Sequence, residues 1–380
     1  MLREVKSLFS IRGNYQKRNF GLDCLRAYAI FLVVSGHGGF MLNNTILEGF
    51  PWFRIVDGVE LFFVISGFLT GSILLKYYKD EDKSKLQSTL TFWKRIALKT
   101  LPCYYLLLFV NFILVKYGII NGDLKQFTLH FFVFTHNLTG PFHDFFWESW
   151  SLAVQEWFYL LIPILIASAL LFLHLRKAFL AIVLLLLIFP LAYRVYISPL
   201  EVNGFWWDVT FRKTVLTRLD SLGYGALAAW IKFYYREKWT EKKTIAAIIG
   251  ILLLSSRFFP FKPYEFYHKT FSFSITSAGT LLLLPFAESF RTAKGRLKGI
   301  ITHISLISYP MYLINLGLLS QVISNNFPPQ NPSEGLLMYA IYWILTIIIS
   351  TLLYKYFEKP FTDLKDTQVS LPYFLKRSRP

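Results

Sequence analysis

Leu22-Asp23-Cys24-Leu25-Arg26-Ala27-Tyr28-Ala29-Ile30-Phe31-Leu32-Val33-Val34-Ser35-Gly36-His37 decides the reading of this chain. The run is apolar enough to enter a bilayer, yet it carries an arginine and a histidine eleven residues apart. On an α-helix, eleven steps of about 100° return to within roughly 20° of the same face, about 16 Å further along the axis. Arg26 then sits near the interface where the helix begins, and His37 sits past the midplane on the same stripe. Ionisable groups at such depth are costly, which makes both functional candidates.

The rest of the chain shares this character. Its 380 residues are 54% hydrophobic and 18% aromatic, with a mean hydropathy of +0.43. Apolar stretches of about twenty residues recur along it, the length that a bilayer asks of a helix. The expected fold is an all-α, polytopic integral membrane protein of about ten transmembrane helices. Spans are expected near 22–42, 55–76, 96–117, 148–173, 178–197, 211–235, 244–259, 270–290, 300–323 and 336–357. The net charge of +17 does not imply nucleic acid, because no basic–aromatic motif accompanies it. Positions 1–21, 76–95, 174–177, 232–243, 291–298 and 355–380 carry 28 of the 40 Lys and Arg. By the positive-inside rule that side is cytoplasmic, and both termini lie there. The domain reading is a basic N-terminus over 1–21, a membrane domain over 22–357 and a cytoplasmic tail over 358–380. The basic start lacks a small-residue cleavage site, so the first helix is expected to stay uncleaved. The expected location is the inner (plasma) membrane.

Several features set limits. Cys24 and Cys103 fall in different spans near one interface, and neither a disulfide nor a zinc site is expected. His130, His136 and His143 are spaced six and seven apart, unlike a short chelating motif, so no metal is expected. The segment 118–147 is apolar but too broken to span; it is expected as an outer-side loop, partly re-entrant. Trp206 and Trp207 form either an aromatic belt or a sugar-stacking surface.

Within the spans, His37, Glu60, Trp150, Ser151, Gln155, Glu156, Arg218 and Asp220 come to a shared depth, from the outer half to the midplane. They form either one polar cavity or separate contacts joining helices. On the basic side, Lys94, Arg95 and Lys99 either clamp the phosphates of a soluble donor or set topology. His37 has small neighbours in Ser35, Gly36, Gly38 and Gly39, and a neutral imidazole is a suitable general base near pH 7.

In order along the chain, the Arg26/His37 spacing, Asp57-Gly58-Val59-Glu60-Leu61-Phe62-Phe63-Val64-Ile65-Ser66-Gly67-Phe68, Phe92-Trp93-Lys94-Arg95 with Leu101-Pro102, Glu148 to Leu160, Arg218-Leu219-Asp220 with Gly223, Ile307 to Leu313, and Phe357-Glu358-Lys359-Pro360 resemble the membrane-bound acyltransferase family 3. The resemblance covers roughly residues 20–362. It implies an enzyme that moves an acyl group, most often acetyl from cytoplasmic acetyl-CoA, onto a hydroxyl of a cell-surface or lipid-linked glycan such as lipopolysaccharide or another polysaccharide. It implies that His37 is catalytic and Arg26 its essential partner. The full expectation places catalysis on His37, Arg26, Glu156 and Glu60. Donor binding falls to Arg26, Lys94, Arg95, Lys99 and Ser66, and acceptor binding to Trp150, Ser151, Arg218, Asp220 and Tyr309. The partners are acyl-CoA, membrane lipid and a glycan acceptor, without nucleic acid. Three positions depart from the family pattern: Gln155 stands where Glu is usual, Glu60 where Asp is common, which keeps the charge, and Asn315 where the motif often ends in His. Glu156, turned about 100° from Gln155, is a poor replacement, and His37 is expected to act largely alone. The alternative class is a glycan or lipid transporter using the same polar cavity, although no internal repeat supports it.

Overall fold

The computed structural model describes residues 18–48, 57–80, 82–140, 144–202, 204–258 and 265–364. These form helices without a strand. Eight helices are long and apolar enough to cross a membrane: α1 (Phe20–His37), α2 (Gly58–Lys79), α3 (Lys85–Lys116), α4 (Ser149–Ala169), α5 (Leu175–Ile197), α9 (Phe271–Ser289), α10 (Arg296–Asn326) and α11 (Pro332–Asp363). The other two expected spans correspond to shorter helices, α6 (Leu219–Tyr234) and α8 (Lys243–Ser255), with the six-residue α7 (Arg236–Glu241) between them. Span six therefore starts later than its apolar pattern implied. Residues Asp208–Arg212 wind as one π-turn, and Arg218 caps α6 instead of lying inside it. The physical reason is local: Thr217 and Thr214 turn back on the chain, their hydroxyls donating to the Phe211 and Val209 carbonyls at 2.9 and 3.1 Å.

The segment 118–147 does not span in its described part. It holds short turns at Leu124–Gln126 and Leu129–Phe132. Tyr104 and Tyr105 of α3 pin it by donating to the Phe131 and Phe132 carbonyls at 2.7 and 2.8 Å. Cys24 and Cys103 are both free thiols. The N- and C-terminal stretches that carry the expected cytoplasmic ends lie outside the described residues.

Helix packing follows the rule that lipid-embedded helices meet through small residues. The most extensive contact is α2 on α6, followed by α8 on α9, α5 on α6 and α1 on α10. The α2–α6 pair depends on two glycines. A Cβ on Gly67 would lie 2.0 Å from the Leu222 carbonyl oxygen, and one on Gly225 would lie 2.0 Å from that of Val64. The backbones therefore touch directly. Pro163 inside α4 frees the Tyr159 carbonyl four residues earlier, since proline has no N–H to offer it. The Trp93 indole donates to that carbonyl at 3.1 Å and ties α4 to α3.

Gly225→Val should therefore separate α2 from α6. Overpacking of this kind costs about 1–3 kcal/mol, read as a lower unfolding temperature in detergent. Gly299→Ala, where a Cβ meets nothing within 4 Å, should melt like the parent. Equal melting of the Gly225 variant would contradict the close contact.

Candidate active site

The helix carrying Arg26 and His37 is continuous, as the eleven-residue spacing required, and His37 is its last residue. Three contacts hold this end. Ser320 of α10 donates its hydroxyl to the His37 carbonyl at 2.7 Å. Tyr342 of α11 donates to the Val34 carbonyl at 3.1 Å. Asn315 pairs through its Oδ1 with His37 Nδ1. Asn315 opens a π-helical stretch, Asn315–Gln321, inside α10. Such wide turns frequently mark functional sites, because they re-aim side chains that a regular helix would place elsewhere.

The hydrogen-bond network fixes the orientation of the Asn315 amide. Its Nδ2 donates to the Met311 carbonyl at 2.8 Å and the Tyr312 carbonyl at 2.7 Å. Oδ1 is therefore the atom that faces His37, and an oxygen only accepts. His37 must then carry its proton on Nδ1 and keep the lone pair on Nε2. Among the described residues Nε2 has no hydrogen-bond partner. The expectation that His37 acts largely alone is thus corrected: Asn315, singled out from the sequence only as a missing His, orients it.

Below His37 two cavities share Arg26, Ser66, Lys99, Tyr159 and Tyr309 as lining residues, so they run into one another. The upper one is small, about 60 Å³, and adds Thr100, Ser151, Gln155 and Tyr312. The lower one, about 330 Å³, adds Arg18, Arg95, Ser305 and Glu358. Arg26 gives one N–H to Ser308 Oγ at 3.2 Å, while its buried Nε has no partner among the described residues. Tyr309 donates to the Thr100 carbonyl at 2.7 Å. At the top, Ser151 and Tyr312 are joined hydroxyl to hydroxyl at 2.6 Å. Tyr312 is also the residue whose carbonyl holds Asn315. The upper cavity therefore ends one link from the histidine.

The structure distributes the remaining candidates. Gln155 lines the cavity, accepting from the Tyr159 hydroxyl at 3.2 Å, and Glu156, on the neighbouring face, lies beside Thr100 and Lys99. Glu60 forms an ion pair with Arg218 and accepts from Ser277 Oγ at 3.1 Å. Arg218 also lies over the Phe273 ring, 4.3 Å from its centroid. Asp220 is held by Arg194 at 3.0 and 2.7 Å, with Ser274 Oγ donating to it at 2.8 Å. Trp150 packs edge-on against Phe63 beneath the Arg212 guanidinium. Lys94 lines neither cavity. His136 stacks on Phe131 and meets Ser149 Oγ at 3.0 Å, His130 meets Thr135 Oγ1 at 2.8 Å, and His143 lies outside the described residues.

Sequence reasoning missed three groups. Arg194, fully buried, stands near the end of α5 opposite the basic side, where the positive-inside rule places few cations, and that position was its one signal. Tyr312 and Glu148 lie in stretches that carry the family resemblance but were assigned no role, yet Glu148 accepts the Gly317 N–H at 2.6 Å and so braces the π-turn. Outside the spans, Arg212 bridges Asp57 at 2.8 Å and Asp208 at 2.9 Å. Burial alone would raise the Asp208 carboxyl, but Arg212 and Lys213 outweigh it and hold it below the usual carboxylate range.

A bundle of this kind is that of a multi-pass membrane protein, with a basic cavity leading towards a histidine. The chain belongs to the acyltransferase family whose domain profile, described as "Acyltransferase domain", matches residues 19–355. It is similar to a "Putative O-acetyltransferase" of Staphylococcus aureus strain COL, 29% identical over 369 residues, covering 91% of this chain and 58% of the relative. It is also similar to the O-acetyltransferase OatA of S. aureus strain NCTC 8325, 28% identical over 360 residues, covering 90% of this chain and 56% of the relative. The chain thus spans somewhat over half the length of the curated relatives it matches. No solved structure matches it.

The Arg194–Asp220 pair gives a test of structural against ligand-binding roles. Arg194→Met leaves Asp220 charged and buried, which should cost about 3–5 kcal/mol. Replacing both partners, Arg194→Met with Asp220→Leu, should recover much of that loss in detergent unfolding. A double variant no more stable than the single one would refute a purely structural pairing.

Proposed function

We propose that this chain is an integral-membrane O-acetyltransferase of the bacterial inner membrane. It takes acetyl from acetyl-CoA on its basic, cytoplasmic side and places it on a hydroxyl of a glycan reached from the opposite side. The observation that carries the proposal is the alignment on one helix of a cation facing the basic cavity and a histidine with its Nε2 lone pair free. Membership of the acyltransferase family favours this reading over the transporter.

The lower cavity suits the donor. Arg18, Arg26, Arg95 and Lys99 line it against one acid, Glu358, and guanidinium groups match phosphate oxygens in fork geometry. The orphaned Arg26 Nε offers a donor that no described protein group uses. Ser66, Tyr159 and Tyr309 continue the path towards Ser151 and Tyr312, which a pantetheine arm would have to part to reach His37.

At the top, His37 has one route as base. Nε2 takes the proton of the acceptor hydroxyl, the oxygen attacks the acetyl carbonyl carbon, the carbon–sulfur bond breaks, and His37 returns the proton to the leaving thiolate. In the second route Nε2 itself attacks the carbonyl carbon and the carbon–sulfur bond breaks, releasing the thiolate and leaving a cationic acetylated ring; the acceptor oxygen then attacks the acetyl carbon, the carbon–nitrogen bond breaks, and the hydroxyl proton passes to the thiolate. Both use the neutral ring, and Asn315 holds that tautomer without adding charge. Holding the ring and both substrates in line supplies most of the rate in a water-poor site.

His37→Ala in the full-length protein, reconstituted or expressed in cells lacking the parent gene, should remove acetyl transfer by at least about a hundredfold. The check is O-acetyl content of the surface glycan by NMR together with CoA release from labelled acetyl-CoA. Retained O-acetyl signal in a folded His37→Ala protein would refute the proposal. Asn315→Leu should lower kcat with little change in the KM for acetyl-CoA, by less than His37→Ala does.

A further inference from the structure

A further cleft, larger than either Arg26 cavity, is not part of the path to His37. It holds about 490 Å³ where the ends of α2, α6 and α9 meet α7 and the start of α8. Six cations line it: Lys76, Lys79, Lys232, Arg236, Lys243 and Arg291. Its single acid, Glu288, is committed, for it forms an ion pair with Lys232 and accepts from the Trp239 indole at 3.0 Å. Among the described residues no carboxylate pairs with the other five cations. Lys79 and Lys232 are steadied over the Phe233 and Phe68 rings at 5.6 and 5.2 Å.

This cleft is separate from the Arg26 cavities. It shares no lining residue with either. On α2 it uses Ser72, Lys76 and Lys79, while the lower Arg26 cavity uses Ser66, Leu69, Thr70 and Ile73. At 100° per residue the two sets centre roughly 100° apart, on different faces of one helix.

We infer that the cleft binds the headgroup of an anionic phospholipid of the inner leaflet. The assignment rests on the orientation proposed above and not on the transfer chemistry. Basic pockets between helices at the cytoplasmic boundary suit such headgroups. A lipid is favoured over a soluble phosphate by where the cations stand. Lys76 and Lys79 lie in the last turn of α2, and Arg291 follows the end of α9. Both helices are of crossing length, so the cleft lies at the depth of the headgroups.

The test uses the full-length protein in nanodiscs of equal parts phosphatidylcholine and phosphatidylglycerol, extracted into detergent and analysed by native mass spectrometry for retained lipid. The parent should keep phosphatidylglycerol. The variant Lys76→Gln/Lys79→Gln/Arg236→Gln should retain it about a hundredfold less strongly, at about fivefold per neutralised charge. The control Lys294→Gln/Arg296→Gln, on the same basic side but outside the cleft, should retain it as the parent does. Equal loss in the control would reduce the effect to general surface charge and overturn the site. Displacement of the lipid by inorganic phosphate or by CoA would assign the cleft to a soluble anion and overturn it equally. Because retention is read without turnover, loss of activity in His37→Ala bears on the transfer reaction alone.

Discussion

A structural charge that this bundle takes into the bilayer must be met inside the bundle. Lipid offers no partner, and an unpaired charge there is the most expensive group a helix can carry. That constraint explains the largest part of the architecture. Arg194 is fully buried because Asp220, Ser274 and the Thr270 and Thr217 carbonyls surround it. Arg218 is buried because Glu60 meets its charge and the Phe273 face lies under it. Together the networks join α5, α6, α9 and α2, and Gly67 and Gly225 bring α2 and α6 of these into backbone contact. The interaction that orders the candidate site obeys the same rule. Asn315 satisfies two helix carbonyls with its Nδ2, and the only acceptor it has left is the one that faces His37.

Much of this was legible in the chain and some was not, for physical reasons. Apolar runs of span length are a strong signal, and eight of them form helices of crossing length. The two shorter helices, α6 and α8, were expected as full spans, because composition reports apolarity and does not report where a threonine turns the chain back on itself. The alignment of Arg26 and His37 was legible because both lie on one uninterrupted helix. The partner of His37 was not, since Asn315 reaches it through a π-turn that breaks the 3.6-residue period on which pattern reading relies. Neither was the division of the deep polar residues into a cavity group and an ion-pair group. Depth along the membrane normal can be counted from sequence, but azimuth between helices is set by packing. Within a single helix azimuth can be counted, and Gln155 lines the cavity while Glu156, about 100° round, does not.

The site that emerges is economical. A basic lower cavity, a narrow polar neck at Ser151 and Tyr312, and an oriented imidazole follow one another along α1 and α10. Asn315 differs from a carboxylate partner in an instructive way. It fixes the tautomer but adds no negative charge to stabilise an imidazolium. A second basic cleft lies on another face of α2, lined by six cations and apart from the Arg26 cavities.

The most direct measurement is the protonation pattern of the His37 ring. The chain has seven histidines, and ¹⁵N NMR of histidine-labelled protein in bilayers, differenced against His37→Ala, isolates one of them. The account predicts a neutral ring near pH 7 with its proton on Nδ1 and the lone pair on Nε2. A ring protonated on Nε2 instead would contradict it, because the atom assigned to the chemistry would then have no lone pair to give.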